Sequence, residues 1–278
     1  MPPSAVTKLQ SEVNKAVKVI LTNYHPRPIR ANKVIRDTAF GFNSYYPHEI
    51  NLLDSPLLQR LRGIRQTSLA CYTYPSAVHT RFEHSLGATV IVGRMIEALR
   101  NRESALVSNP VDCAEARMAA LLHDIGHGPF SHGTEIIFQE FDEIKNVKKE
   151  KPELFKDNAA HEILSYFIVN SSSFKEKWEE IKTPYLSRSD YKFNISGIDI
   201  NKVALMILGK HPNPDMYFFA QMVNGPHDAD KFDYVTRDGY FTGLRTAINI
   251  DRFLLSIGTS KNDKTKIRSL CVDISGVT

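Results

Sequence analysis

Histidine is concentrated in this chain where it could do chemistry. Of ten histidines in 278 residues, six (His79, His84, His123, His127, His132 and His161) fall between positions 79 and 161. Three of them share the run His123-Asp124-Ile125-Gly126-His127-Gly128-Pro129-Phe130-Ser131-His132. An adjacent His and Asp at the end of the apolar stretch Met118 to Ile125 would be costly to bury without hydrogen bonds or a cation. Imidazole nitrogens and carboxylate oxygens together suit a divalent transition metal. A mixed His/Asp site also leaves positions open for water or a phosphate oxygen, which is hydrolytic chemistry. Taken alone, the His-Asp dipeptide is equally compatible with a structural, hydrogen-bonded pair.

A second constellation lies in Asp228-Ala229-Asp230-Lys231-Phe232-Asp233-Tyr234-Val235-Thr236-Arg237-Asp238. On a helix Asp230, Tyr234 and Asp238 recur every fourth residue and share one face, which brings two carboxylates and a ring toward one cavity. Asp233 and Arg237 are also four apart but on another face, where a helix-stabilising ion pair is the favoured reading.

The elements that must carry these residues read as helices. Val6, Leu9, Val13, Val17 and Ile20 make one face of an N-terminal amphipathic helix over Ala5 to Leu21, which Pro26 and Pro28 end. Lys33 to Ile35 and Phe40 to Tyr46 suit a short extended hairpin. Asp54-Ser55-Pro56 then opens a helix over Leu57 to Ile64. Helical spacing predicts further helices over Arg81 to about Arg100, Val111 to Ile125, Phe130 to Phe141, Ala159 to Val169, Ile200 to Gly209 and Asp228 to Tyr240. Phe141 to Asn158 and Ser171 to Ser196 are polar and charged and read as mobile surface insertions, and Leu270 to Ile274 is strand-like. The expected class is therefore mostly α with a small N-terminal β-hairpin, arranged as a helical extension over residues 1–32 and one domain over 33–278.

Composition narrows the function. With 42% hydrophobic and 24% charged residues, the chain buries a sizeable core and is neither disordered nor collagen-like. The formal charge of +4 comes from scattered Lys and Arg, so a solvated basic surface is favoured over a nucleic-acid interface, and weak nucleic-acid binding is the most that it implies. Cys71, Cys113 and Cys271 form no Cys-x-x-Cys pair and read as reduced core residues. No secretory signal and no run approaching ~18 apolar residues is present, so no membrane partner and a cytoplasmic location are expected.

Three strings occurring in order, Arg81-Phe82-Glu83-His84-Ser85-Leu86-Gly87, the run from His123 to His132, and the run from Asp228 to Asp238, closely resemble the HD-domain deoxynucleoside triphosphate triphosphohydrolases. That family includes the mammalian SAM-and-HD-domain enzyme and bacterial dGTPase-like proteins, and the likeness extends from about Lys33 to Phe253. The resemblance implies the helical HD phosphohydrolase fold for residues 33–278, with downstream parts of the family's fold lying at or beyond Thr278. It implies metal ligands at His84, His123, Asp124 and Asp230, for Mn, Mg, Fe or Zn, singly or as a pair. It places His127, His132 and His161 in the pocket as catalytic candidates. His132 would protonate the leaving group or orient the attacking water, while His127 or His161 could instead hydrogen-bond behind the ligands. Arg81 and Lys231 match positions that hold phosphate oxygens, Gln66 and Asp238 match positions that contact the sugar, and Tyr234 could pack against deoxyribose.

The implied reaction is hydrolysis of a deoxynucleoside triphosphate to deoxynucleoside and inorganic triphosphate by a homo-oligomer. Asp54, Gln59 and Arg62, with Lys33 and Val34, match positions that read an activating GTP or dNTP. Equally, Asp54 could cap a helix and Arg62 pair on its surface. Phe40-Gly41-Phe42 stands where the family carries His-Gly-His. Two alternatives stay open: another HD-type nucleotide phosphohydrolase or phosphodiesterase, and a sensor that binds nucleotide or single-stranded nucleic acid on the same scaffold.

Overall fold

A computed structural model describes residues 3–185, 195–245 and 248–272. The first helix, α1 (Ala5–Leu21), is capped by Ser4, whose side chain accepts from the Thr7 amide, and it buries Leu9, Val13, Val17 and Leu21. β1 (Lys33–Asp37) and β2 (Gly41–Tyr45) then pair antiparallel, with Lys33 opposite Tyr45 and Asp37 opposite Gly41. Gly41 has φ +71°, which a residue with a Cβ rarely adopts, and Asp37 Oδ1 accepts from the Ala39 and Phe40 amides at 2.7 and 2.9 Å. The predicted hairpin is therefore present, extended by two residues in its first strand.

α2 (Pro47–Leu53) and α3 (Pro56–Gln59) follow, and the chain tightens into a 3-10 turn over Arg60–Gly63. The expected helix over Leu57 to Ile64 is thus shorter and splits in two. Its N-cap is Ser55, and Asp54 is instead the C-cap of α2. The centre of the molecule is α4 (Arg81–Arg102), which packs against α5 (Pro110–Leu122) and α13 (Ala229–Thr242). A helix surrounded in this way is buried on most sides, and fourteen of its residues are, from Arg81 to Leu99.

Between α5 and α13 the chain forms α6 (His132–Glu140), α7 (Asp142–Glu150), α8 (Pro152–Phe155), α9 (Ala160–Val169), α10 (Ser172–Lys182), α11 (Ile200–Ile207) and α12 (Tyr217–Val223). After α13 come α14 (Ile250–Ser256) and an antiparallel pair, β3 (Ile257–Lys261) and β4 (Arg268–Val272). The chain is mostly helical, with two small two-stranded sheets among the described residues.

The polar segments expected to be mobile insertions are instead regular helices where they are described. Ile144 and Val147 of α7, Phe155 of α8, and Phe174, Trp178 and Ile181 of α10 are buried, and α7 and α10 pack on α1. Two or three apolar residues at helical spacing suffice when a neighbouring helix receives them, a condition that the local charge density hides. Residues 186–194 of the second expected insertion, and residues 273–274 of the expected last strand, lie outside the described residues. One buried apolar cluster runs from α1 through α4, α5, α9 and α12 to Ile257. Among the described residues no helix is long and apolar enough to cross a membrane.

Candidate metal centre

Three helix ends converge on the histidines. His84 stands in the first turn of α4, which is set by a capping box in which Glu83 accepts from the Thr80 amide at 2.5 Å. His123 is the C-cap of α5 with Asp124 next in line, and Asp230 stands in the first turn of α13 beside its N-cap, Asp228. The loop after Asp124 is fixed from two sides. Arg60 donates to the carbonyls of Ile125 and, at 2.8 Å, His127. From α9, Ser165 accepts from the Gly126 amide at 2.8 Å and donates to the His123 carbonyl at 2.6 Å. A Cβ on Gly126 would stand 2.1 Å from the His161 carbonyl oxygen, so glycine there is what lets α9 approach.

His84 Nε2 lies 3.1 Å from His123 Nε2, 3.0 Å from Asp230 Oδ1 and 3.4 Å from Asp124 Oδ2. His123 Nε2 lies 3.5 Å from Asp124 and 3.8 Å from Asp230. The opposite ring nitrogens are already spent: His84 Nδ1 donates to Asp233 Oδ2 at 2.7 Å, and His123 Nδ1 donates to the Ala120 carbonyl at 2.6 Å. In those tautomers the two Nε2 lone pairs and Asp230 meet within 4.8 Å of one another, with Asp124 beside them and held by Arg81, an arrangement that favours a positive charge at its centre. Bonds of ~2.0–2.2 Å to a common ion put neighbouring donors about 3 Å apart, close to the distances seen, so the donor set fits a divalent metal.

The charges agree. Burial opposes protonation of His84, but Asp233, Asp230 and Asp124 outweigh it and carry the imidazole up to about 10. His123 rises for the same reason, against burial, through Asp124 and Asp230. Burial would raise Asp124, yet Arg81, His123 and His127 hold it well below the usual carboxylate range. Asp230 is likewise lowered against burial by His123 and His84.

Beside these donors sits a second group. His127 Nε2 is 3.3 Å from Asp124 Oδ1, and its ring stacks on His161 at 3.9 Å. His161 Nδ1 donates to Glu135 at 2.8 Å, while burial drives His127 down to about 3, so His127 is neutral at pH 7. His132 is exposed and stands edge-on to His127, with Nε2 3.0 Å from Arg81 Nη2, and burial and Arg81 lower its pKa. Buried Arg81 donates to Asp124 Oδ2 at 2.6 Å and to Ser131 Oγ, which in turn donates to the Gln66 carbonyl at 3.2 Å. Phe130 and Ser131 both have left-handed backbones (φ +62° and +52°), a strain of order 1 kcal/mol each that turns Ser131 inward to hold Arg81.

The other predicted residues make contacts of their own. Gln66 is buried, and its Oε1 has no hydrogen-bond partner among the described residues. Asp238 binds His79 Nε2 at 2.6 Å. Lys231 follows Asp230 in sequence, but its ammonium is engaged by Asp228 at 2.6 Å and the Gly225 carbonyl at 2.8 Å. Tyr234 is half-buried, and burial and Asp230 raise its hydroxyl pKa. Lys33 and Val34 are exposed on β1. Asp54 pairs with Arg27 at 3.3 Å, Gln59 donates to the Leu53 carbonyl at 2.7 Å, and Arg62 donates to Gln59 at 2.9 Å and lies 3.7 Å over the Phe82 ring. A cavity of about 900 Å³ between β2, α4, α5 and α14 is lined by none of these residues.

Sequence reading missed Asp233, Arg237, Asp37 and Glu135 as parts of the site. Asp233 and Arg237 do form an ion pair, at 2.8 Å, but it is fully buried against His84 and not exposed on a helix surface. The available signal was Gly87, where a Cβ would meet Asp233 Oδ1 at 1.7 Å.

Comparison with known proteins agrees with this geometry. Residues 81–216 match the HD domain, a span that includes His84, His123 and Asp124 but stops short of Asp230. The chain is 28% identical over 236 residues to the deoxynucleoside triphosphate triphosphohydrolase SAMHD1 homolog of Dictyostelium discoideum, covering 84% of this chain and 40% of that protein. It is 28% identical over 232 residues to SAMHD1 of Bos taurus, covering 80% and 38%, and 34% identical over 247 residues to an uncharacterized protein of Methanocaldococcus jannaschii, covering 88% and 42%. A crystal structure of a hypothetical protein from Aquifex aeolicus superposes with a TM-score of 0.64 at 29% identity, covering 89% of this chain and 55% of that one. The chain thus spans about 40% of the length of the curated relatives it matches. With the HD match, the helical fold and the His/Asp cluster in agreement, the chain belongs to the HD-domain family, among whose members the deoxynucleoside triphosphate triphosphohydrolases are its relatives.

Proposed function

We propose that this chain is the hydrolase unit of a metal-dependent deoxynucleoside triphosphate triphosphohydrolase, with residues 33–278 as the HD phosphohydrolase domain and 1–32 as a helical extension packed on it. The observation that carries the reading is the meeting of His84, His123 and Asp230, whose ligand atoms lie within 4.8 Å of one another, with Asp124 3.4 Å from His84 and both Nδ1 atoms already engaged. A divalent cation held there supplies charge to a phosphate oxygen and acidifies water. Arg81, fixed by Ser131, supplies a buried guanidinium for non-bridging oxygens, and a triphosphate would compete with Asp124 for it. His132 is solvent-accessible and its Nε2 accepts from Arg81 Nη2 at 3.0 Å, so a phosphate that draws Arg81 away would free that lone pair to accept a hydrogen bond from the attacking water.

Water adds to the α-phosphorus, the bond from phosphorus to the 5′ oxygen breaks, and the proton taken from water ends on the 5′ oxygen of the released deoxynucleoside. His127 and His161, stacked and anchored by Glu135, hold the wall beside Asp124 and position the phosphates. Gln66, whose buried Oε1 has no partner among the described residues, would contact the sugar with Asp238 and Tyr234, the roles that the family resemblance implies. The likeness to deoxynucleoside triphosphate triphosphohydrolases supports the substrate class. The test is chromatography of products from each dNTP and from ATP, with Mn2+ or Mg2+ and with or without GTP. Deoxynucleoside plus triphosphate is expected; orthophosphate or monophosphate would assign a different HD reaction, and no turnover under any condition would favour a nucleotide sensor.

A further inference from the structure

Behind the metal ligand His84 lies a line of buried charges that reaches the N-terminal hairpin. His84 Nδ1 donates to Asp233 Oδ2 at 2.7 Å. The Arg237 fork grips the same carboxylate twice, Nε to Oδ2 at 2.9 Å and Nη2 to Oδ1 at 2.8 Å. Arg237 Nη2 also donates to Asp37 Oδ2 at 2.9 Å. Asp37, the last residue of β1, uses its other oxygen to cap the Ala39 and Phe40 amides of the hairpin turn. Relative exposure is 0% for His84, 0% for Asp233, 1% for Arg237 and 6% for Asp37, so none of these groups is screened by water.

The surroundings are built to hold this line. The Phe40 ring lies 5.6 Å from the Arg237 guanidinium, and Tyr45 of β2 donates to the Leu86 carbonyl of α4 at 3.2 Å, tying the hairpin to the helix that carries His84. At Gly87 a Cβ would come within 1.7 Å of Asp233 Oδ1 and 2.4 Å of Arg237 Nη2, so the central helix is stripped of a side chain where the ion pair passes.

We propose that Asp37 and Arg237 are positioning residues for the metal centre, setting the tautomer and donor strength of His84 through Asp233. This rests on the metal-centre reading and deepens it. The physical reason is competition for one guanidinium. With Asp37 in place, Arg237 is shared between two carboxylates, and Asp233 keeps enough acceptor strength to hold the His84 Nδ1 proton, leaving Nε2 as the lone-pair donor. With Asp37 neutral, Arg237 turns its full charge on Asp233, weakens that hold and loses its anchor to the hairpin. His84 then becomes a poorer and less fixed ligand. The hairpin, remote from the reacting atoms, is in this way part of what sets metal affinity.

The test titrates the purified full chain with Co2+ alone, following its absorption bands against a competing chelator, and records thermal unfolding of the metal-free protein alongside. Asp37→Asn keeps the shape and the amide caps but removes the charge, and Arg237→Lys keeps the charge but removes the fork. Loss of a partner behind a metal-ligating histidine typically costs 10–100-fold in metal affinity, and that loss is expected for Asp37→Asn, with a smaller one for Arg237→Lys. Glu49→Gln breaks a comparably buried ion pair, with Arg117 at 2.7 Å; it should lower the unfolding temperature and leave the Co2+ Kd within twofold. Asp37→Asn combined with Arg237→Lys should weaken Co2+ binding no further than the stronger single change.

Equal Co2+ affinity in Asp37→Asn and the parent overturns the proposal, as does an equal loss in Glu49→Gln. If Asp37→Asn does not fold, Arg237→Lys alone decides on the same criterion. A parent chain that takes up no Co2+ overturns the metal-centre reading itself, which is a distinct result.

Discussion

Gly126→Ala puts one methyl group where the structure leaves no room, and its consequence can be worked out. The added Cβ would lie 2.1 Å from the His161 carbonyl oxygen and 2.6 Å from the Ser165 amide. Ordinary contact distances require α9 and the loop after Asp124 to part by roughly 1 Å. Backbone atoms on both sides cannot rotate away as a flexible side chain would, and overpacking of this kind costs about 1–3 kcal/mol. The same parting breaks the bonds through which Ser165 joins the Gly126 amide and the His123 carbonyl, at about 1 kcal/mol each. The sum is about 4 kcal/mol, which for a chain of this size lowers the unfolding temperature by roughly 8–16 °C. Because His123 and His161 sit on the two parting surfaces, metal uptake should fall with it. Scanning calorimetry and metal analysis of the dialysed variant read both effects. An unfolding temperature within 1 °C of the parent, with metal content unchanged, would refute the claim that α9 and the His-Asp loop are in fixed contact.

Three further outcomes follow from the same contacts. Ser165→Ala removes the bridge without adding bulk, so it should cost about 2 kcal/mol in denaturant unfolding, less than Gly126→Ala. His48 is fully buried and burial lowers its pKa to about 4, so it stays neutral in the folded chain while the unfolded chain takes up a proton below about 6.5. Its contribution is therefore complete above pH 6.5 and is lost as pH falls toward 4, by about 3 kcal/mol; a His48→Asn variant should show a correspondingly flatter stability profile across that window in urea titrations. Stripping metal with a chelator should lower the unfolding temperature, and Mn2+ or Co2+ at about 100 times Kd should restore about 2.7 kcal/mol, or roughly 5–10 °C.

Much of the fold was legible because its helices carry strong local signals. Leu9, Val13 and Val17 mark α1, and Gly41 and the polar turn mark the hairpin. The helical spacing of Leu86, Val90 and Met95 located α4, although the buried surface of that helix runs almost all round. What sequence misjudged were short helices whose few apolar residues are outnumbered by charge, such as Ile144 and Val147 in α7, since only contact with α1 decides them. In the site, residue types drew attention to the histidine cluster and the His123-Asp124 pair, while the set of His84, His123, Asp124 and Asp230 came from the family resemblance. The supporting groups were hidden because their partners are distant in sequence: Asp37 meets Arg237 across 200 residues, and Glu135 meets His161 across 26. The expected ion pair of Asp233 and Arg237 is present, but its burial against His84 also makes it a support for that histidine, which spacing alone cannot show.

The proposed phosphohydrolysis depends on a metal held by His84, His123, Asp124 and Asp230. The most direct measurement determines bound metal and dNTP turnover on the same samples of the parent and of Asp124→Ala, each stripped and then reloaded with increasing Mn2+. Turnover should rise in proportion to bound metal in the parent, and both should be lost in Asp124→Ala. Turnover by the metal-free parent, or an Asp124→Ala chain that keeps both metal and activity, would contradict it.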